Sequence, residues 1–178
     1  MKPLTKIAIV AAVQLLVLLS VLGFKQYTVW TGETVLLEVA PLDPRDPFRG
    51  DYVTVRYDIS NLDRSELTGD DYPSDTVYVE LRERGDGLWH AVAIHDDREH
   101  SFDGTVLIKG DIDYGRFGGN TLTIDYGIEE IFIPEGSGGQ IPFGSDHVVA
   151  VKVKVDRFGN AVTRSFVVDG EPFDLKRD

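Results

Sequence analysis

The sequence contains no cysteine, so disulfide bonds, thiol catalysis and cysteine-ligated zinc or iron–sulfur sites are excluded. It is also poor in basic side chains, with 18 lysines and arginines against 30 aspartates and glutamates. Residues 1–25 contain three lysines and no acid, so the rest of the chain has 15 basic and 30 acidic side chains, a net charge of −15. A domain of that charge repels nucleic acid, and we expect no nucleic-acid partner.

A convincing helical period is absent from Tyr27 onward, and short alternating apolar runs take its place. Gly85-Asp86-Gly87 and the turn at residues 157–160 each separate two such runs, which is typical of β-hairpins. The sequence therefore predicts an all-β domain over residues 26–178, an antiparallel sandwich or a barrel-like structure. The predicted strands are Glu33–Val39, Tyr52–Ile59, Thr76–Arg82, Trp89–His95, Thr105–Asp113, Thr121–Tyr126, His147–Asp156, Ala161–Val168 and a short one at Phe173–Leu175.

The only long apolar run lies at the N-terminus, where residues 7–24 contain two polar side chains, Gln14 and Ser20. Eighteen helical residues rise about 27 Å, close to the hydrocarbon thickness of a bilayer. No small-x-small cleavage pattern follows the run, so we interpret residues 1–25 as an uncleaved signal anchor in the cytoplasmic membrane. A cleaved signal peptide stays open as the alternative. Lys2 and Lys6 precede the span and favour an N-terminus inside, with the domain in the periplasm or extracellular space.

Two runs share one apolar spacing and indicate an internal repeat. Val53, Val55, Tyr57 and Ile59 match Leu122, Ile124, Tyr126 and Ile128 in position. A Lys/Arg-Gly-Asp step precedes each run, at residues 49–51 and at residues 109–111, and a predicted hairpin follows each. We interpret residues 33–96 and 102–169 as two related halves. The alternative, that any two amphipathic strands look alike, stays open at this point.

A charged loop at residues 44–51 is the first candidate site. Its prolines restrict the backbone, and Gly50 permits a turn that a side chain would forbid. Its charges, Arg45, Asp46, Arg49 and Asp51, can pair with one another and set the register of the next strand. Alternatively, Arg45 and Arg49 can hold a carboxylate or a phosphate. Asp46 is included among these candidate binding residues.

Carboxylates supply the other candidates. Glu130 and Glu135 lie beside a glycine-rich segment, residues 134–146, and are predicted to line a binding pocket with the charged loop. Acid–base chemistry of the glycosidase type needs two carboxyl groups at a set separation, which the sequence does not define. No acidic cluster has the EF-hand spacing, and no metal site or cofactor is predicted.

The run from Gly50 through Asp51, Tyr52 and Tyr57 to Ile59 resembles the signature of the GDYXXLXY family of bacterial membrane-anchored proteins. Val55 stands where that signature has leucine. The later run from Tyr126 through Pro134 to Gly136 is similar to a second typical block of the family. The resemblance implies a bacterial envelope protein, often encoded beside a polytopic membrane protein. It implies no activity, because the family has no assigned catalytic residues.

Three functions remain as hypotheses. The first is a non-enzymatic, membrane-anchored binding or assembly module for a polytopic membrane protein. The second is an envelope enzyme or solute-binding domain that acts on an anionic or glycan ligand. The third is a structural or filament subunit, which requires an exposed edge strand and fits a homo-oligomer.

Overall fold

The computed structural model describes residues 3–41, 52–68, 75–98, 103–113, 120–134, 136–144 and 146–176. The charged loop, residues 42–51, and Glu135 therefore lie outside the described residues, and with them the predictions for Arg45, Asp46, Arg49, Gly50 and Asp51.

One α-helix, α1, is found in the described residues; it runs over Pro3–Thr31, and the predicted span at residues 7–24 lies inside it. Its mean hydropathy is 2.7 over the best window, and it is long and apolar enough to cross a membrane. No β-branched run or internal proline interrupts residues 4–24, and the helix ends just before Gly32.

The rest of the described chain is β-structure, as predicted, with short 3₁₀ segments at Asp58–Ser60, Arg64–Glu66 and Ser137–Gln140. Three short strands were not predicted, because two or three residues cannot show a period of two. They are β3, β4 and β9 in the following series. The strands are β1 (Glu33–Pro41), β2 (Tyr52–Tyr57), β3 (Asn61–Asp63), β4 (Leu67–Thr68), β5 (Thr76–Glu83), β6 (Trp89–His95), β7 (Val106–Ile112), β8 (Thr121–Asp125), β9 (Glu130–Phe132), β10 (Val149–Val155), β11 (Ala161–Val168) and β12 (Glu171–Phe173).

These strands form two sheets in the described part of the chain, with the orders β12-β11-β10-β1-β2-β9 and β3-β8-β7-β5-β6-β4. Nearly all neighbours are antiparallel, and only β4 pairs with β6 in parallel. Alternate residues point between the sheets, as in β1, where Val35, Leu37 and Val39 are buried. Valine, isoleucine and leucine from both sheets make one continuous core.

Each sheet contains strands from both halves of the chain, and the two sheets combine equivalent strands of the halves in the same way. In the first sheet, β1 and β2 of the first half pair with β10 and β9 of the second; in the other, β7 and β8 of the second half pair with β5 and β3 of the first. The registers correspond as well. Ala40 opposite Arg56 matches Asp111 opposite Asp125. The predicted halves therefore share one connectivity, and each completes the other's sheet.

Irregularities recur at the same places in both halves. The β5–β6 ladder shifts between Glu80 and Leu81, and the β10–β11 ladder shifts between Lys152 and Val153. A coincident bulge is difficult to explain for unrelated strands, because bulges occupy individual positions in a ladder. This agreement favours duplication over chance resemblance.

The two signature tyrosines bond across the halves. The Tyr57 hydroxyl donates to the carbonyl oxygen of Ile128 at 2.8 Å, and the Tyr126 hydroxyl donates to that of Ile59 at 2.7 Å. Burial raises the pKa of both phenols, with the Glu129 charge as a second cause. The tyrosine-x-isoleucine pattern therefore produces two equivalent hydrogen bonds between the halves at the centre of the molecule, here called the tyrosine locks.

One part of the predicted repeat was wrong. Lys109, Gly110 and Asp111 lie inside β7 and correspond to residues 38–40 in β1, so they do not match the step at residues 49–51. Gly110 has a different reason to be glycine. A side chain there would overlap Ile124 and would stand 3.0 Å from the Tyr126 ring.

Candidate functional site

A groove of about 400 Å³ lies between the two halves, at the ends of the paired segments that contain the signature tyrosines. It is built by β2 with the following 3₁₀ segment, by β8 with the following loop, and by single residues at the ends of β7 and the start of β9. Its lining residues are Thr54, Val55, Arg56, Ser60, Asp113, Thr123, Ile124, Asp125, Gly127, Glu129 and Glu130.

The backbone of this groove follows the internal repeat, but its chemistry does not. Thr54 corresponds to Thr123, and both face the groove in equivalent registers, opposite Glu130 and Asn61 respectively. Two residues further along the same strands, Arg56 corresponds to Asp125. The groove therefore combines a symmetric frame with side chains that differ between the copies.

Negative charge dominates the described lining of the groove, where Asp113, Asp125, Glu129 and Glu130 accompany a single cation, Arg56. Arg56 is exposed and forms no ion pair in the described part of the chain. A low-dielectric cleft lined by one sign of charge concentrates ligands of the opposite sign. The arrangement favours an amine, a basic side chain or a hydroxyl-rich ligand over an anionic one.

Glu129 is a half-buried carboxylate of the groove. Burial raises its pKa, and the neighbouring Asp125 acts in the same direction, while a backbone hydrogen bond from Tyr126 opposes the shift. Its two oxygens accept the N–H groups of Tyr126 at 2.7 Å and Ile128 at 2.8 Å. Glu129 thus fixes the loop that carries the Tyr126 lock and presents its edge to the groove.

Ser60 stands at the position in the first half that Glu129 occupies in the second. It is 5% exposed, and its hydroxyl has no hydrogen-bond partner among the described residues. A buried hydroxyl without a partner costs free energy, and such groups are commonly satisfied by a ligand or a water. No group of three metal-ligating side chains is present in the described segments, so the groove is not a preformed metal site there.

The groove lies far from the helix. β1 starts directly after α1, and Arg56 pairs with Ala40, seven residues further along that strand. At the usual strand rise, seven residues span about 23 Å. The domain therefore has a helix-proximal end and a distal, acidic end.

At the proximal end the helix is packed against the domain by side chains. The hydroxyl of Thr28, which is buried, donates to Asp156 Oδ2 at 2.7 Å. Asp156 also accepts the N–H groups of Phe158 and Asn160 in the β10–β11 turn. Burial disfavours the Asp156 charge, but these hydrogen bonds prevail and hold the pKa of its carboxyl below the usual value.

A single residue, Gly32, joins α1 to β1. Its N–H donates to the carbonyl oxygen of Thr28 at 2.9 Å, and its own carbonyl accepts Lys154 Nζ at 2.9 Å. A side chain at this position would meet Thr28 O at 2.5 Å and the Val155 backbone at 3.1 Å. The helix and the sheet therefore meet in a fixed joint with no linker.

Among the predicted binding residues, Glu130 lines the groove. Its role in binding a ligand stays a prediction. The motif residues have structural roles. Tyr52 packs edge-on against Phe132, and the Pro134 carbonyl accepts Ser137 Oγ at 2.6 Å. Gly136 has a φ of 77°, which glycine adopts without strain.

Sequence reasoning considered Glu129 and Glu130 as candidate acid–base carboxylates, but it missed most of the groove, including Arg56, Ser60 and Asp125. Aligning the two tyrosine runs would have placed Ser60 opposite Glu129, and this difference between the copies was the available signal. The joint was missed as well, because Thr28 and Asp156 are 128 residues apart.

The comparisons with known proteins give one match. The family model described as GDYXXLXY protein matches residues 14–166, which includes most of α1 and nearly all of the β-structure. No curated protein and no solved structure matches the chain.

Proposed function

The chain belongs to the GDYXXLXY family, and we propose that it is a membrane-anchored, non-enzymatic binding or assembly module whose partner is a polytopic membrane protein. In this proposal α1 stays uncleaved in the cytoplasmic membrane with its N-terminus inside, and the acidic domain stands outside. The observation that carries the proposal is the fixed joint between the helix and the sheet.

The joint supports a retained anchor. The last helical turns pack on the β10–β11 hairpin through Thr28 and Tyr27, whose ring lies 6.3 Å from that of Phe158. Removal of the helix would expose the Asp156 carboxylate and the Phe158 ring. A secretory signal has no such role in the folded domain.

The joint also supports an integral partner. A tethered enzyme that acts on soluble substrates needs only a flexible linker, whereas a domain that meets a membrane protein gains from a fixed height and orientation. Along α1, apolar side chains such as Leu16 and Leu22 are about two-thirds exposed. They are free to contact lipid or the helices of a partner.

A second candidate, a domain that binds a glycan or an amine, rests on the groove. Its excess of carboxylates opposes an anionic ligand, but carboxylates and the unpartnered Ser60 hydroxyl suit sugar hydroxyls or an amine. This candidate is compatible with the first if the ligand belongs to the partner.

The test is a linker insertion in the intact membrane. Four Gly/Ser residues are inserted beside Gly32, between Thr31 and Glu33. The insertion keeps the anchor and the domain but loosens the joint. The matched control carries the same insertion at Gly85 in the exposed β5–β6 turn. After mild detergent extraction, we expect one polytopic protein to copurify with the wild type and the control, and to be lost from the joint variant.

Three outcomes would contradict the proposal. They are extraction of the wild type as a lone monomer, equal capture by the joint variant, and a mature chain whose mass lacks residues 1–25. Regular homopolymers without a partner would instead support the structural-subunit hypothesis.

A further inference from the structure

We infer that the domain binds the phosphates of anionic lipid headgroups through a patch, here called the headgroup patch, formed by Tyr27, Arg98, Arg157 and Phe158. The inference rests on the retained anchor of the proposed function, but not on the polytopic partner. The patch is built from three separate segments: α1, the end of β6 and the β10–β11 turn.

The patch has an unusual composition for this domain. The guanidinium carbons of Arg157 and Arg98 lie 4.7 Å and 5.1 Å from the centre of the Phe158 ring. Both arginines are exposed, and neither forms an ion pair in the described part of the chain. Two uncompensated cations thus converge on one ring in a domain with a net charge of −15.

The arrangement leaves the arginines able to bind an anion. A guanidinium over an aromatic face uses its flat side, while its N–H donors lie in its plane. Those donors suit phosphate oxygens, which arginine binds in a bidentate manner. Asp156 forms no ion pair with either arginine in the described part of the chain, and its oxygens accept Thr28, Asn160 and the Phe158 N–H. Asp96 and Asp97 precede Arg98 and form no ion pair with it.

The height of the patch matches the headgroup layer. The apolar run, residues 7–24, is 18 residues long, and it rises about 27 Å, close to the thickness of the hydrocarbon core. Tyr27 follows three residues later, about 4.5 Å beyond the core edge and inside the headgroup region. Since the Tyr27 ring packs beside Phe158, both arginines are held at that level.

The equivalent turn of the other half lacks these features. It spans residues 84–88, has the same closing hydrogen bond, and carries Gly85 and Asp86 where the second half has Arg157 and Phe158. The cation–aromatic set therefore occurs on the turn that lies beside the helix and not on its counterpart.

The experiment uses the full chain, purified without partner in neutral detergent micelles. Native mass spectrometry measures the binding of phosphatidylglycerol relative to phosphatidylcholine. The test variant is Arg98→Gln with Arg157→Gln, and the matched control is Arg84→Gln with Arg164→Gln, which removes the same charge from exposed positions elsewhere.

We expect the wild type and the control to prefer phosphatidylglycerol. We expect the patch variant to lose that preference by roughly 25-fold, because each arginine near an anionic surface contributes roughly fivefold. An unchanged melting temperature of the patch variant shows that the loss is not due to unfolding.

Three results would overturn the inference: no lipid preference in the wild type, an equal loss in the control, or competition by millimolar inorganic phosphate, which would indicate a site for free phosphate. None of these depends on whether a polytopic protein copurifies, so failure here is distinct from failure of the proposed function.

Discussion

The two hairpin turns of this domain, residues 84–88 and 156–160, occupy equivalent places in the two halves and lie in different environments. Their backbones differ at one position, since Gly85 has a φ of 81° and its counterpart Arg157 does not lie in the left-handed region. Each is closed by an N–H to carbonyl bond across the turn, Arg84 to Leu88 and Asp156 to Asn160. Each has its glycine in the left-handed region, Gly87 at 82° and Gly159 at 83°. Only the second turn contacts α1. There Asp156 accepts the Thr28 hydroxyl, and the Phe158 ring packs beside the Tyr27 ring.

The difference separates the repeated part of the molecule from the part that differs between the two copies. The repeated features, which are the strand order, the bulges and the tyrosine locks, are those that the fold itself requires. The features that differ between the copies, which are the joint, the headgroup patch and the groove side chains, lie beside the helix or line the groove. Variants at matched positions can test this division.

The largest effect is expected at Asp156. Its replacement by alanine leaves the Thr28 hydroxyl and two turn N–H groups without their acceptor, which should cost about 2–3 kcal/mol of unfolding free energy. Chemical unfolding of the full chain in neutral detergent measures the loss. Asp86→Ala in the other turn removes a solvent-exposed acceptor and should have a clearly smaller effect. Equal losses would remove the distinction between the turns.

The contribution of Asp156 to the stability of the folded chain also depends on pH. Because its folded pKa is lower than its unfolded pKa, its contribution is complete above the unfolded value of about 3.9 and is lost as pH falls through the folded value. The wild type should therefore lose stability below about pH 4 more steeply than Asp156→Asn. Parallel pH profiles for the two proteins would show that the joint does not depend on the Asp156 charge.

A smaller effect is expected at Gly110, which corresponds to Val39 in the other half. An alanine there overlaps Ile124 and crowds the Tyr126 ring, and such overpacking should cost about 2 kcal/mol. Gly139→Ala is the control, since a side chain at Gly139 has open space. If Gly110→Ala left the free energy of unfolding unchanged, the second half would accommodate a side chain at this position as well as the first half accommodates Val39.

The smallest single effects concern the tyrosine locks. Tyr57→Phe and Tyr126→Phe each leave one buried carbonyl without its donor, and each should cost about 1 kcal/mol. If the locks are true counterparts, the two losses agree within about 0.5 kcal/mol when measured by urea unfolding in the same detergent. A large loss from one variant and none from the other would show that only one half depends on its lock.

Much of the fold could be predicted from the sequence, because its signals are local. The alternation in VAVKVKV predicts a strand at β10 whatever that strand pairs with, and the Gly-Asp-Gly turn predicts a hairpin between β5 and β6. Short strands such as β9 could not be predicted, because three residues show no period and become a strand only when β2 pairs with them.

The groove was mostly beyond prediction for a similar reason. Glu130 was expected at a pocket because it lies beside a glycine-rich segment, but its neighbours in the groove come from β2, β7 and β8. Arg56 reads as an ordinary outward-facing strand residue. Only the pairing of the halves puts it opposite four carboxylates.

By itself, the sequence determined an acidic β-domain behind an apolar helix, the two hairpins and the repeat of the tyrosine runs. Each of these follows from composition, period, turn chemistry or comparison of two runs along the chain, without knowledge of which segments pair. The tertiary structure alone decided that the halves exchange strands, that Thr28 meets Asp156, and that two arginines converge on Phe158. Those contacts join residues far apart in the chain, and many pairings satisfy the same local alternation. Only packing of the whole core selects among them.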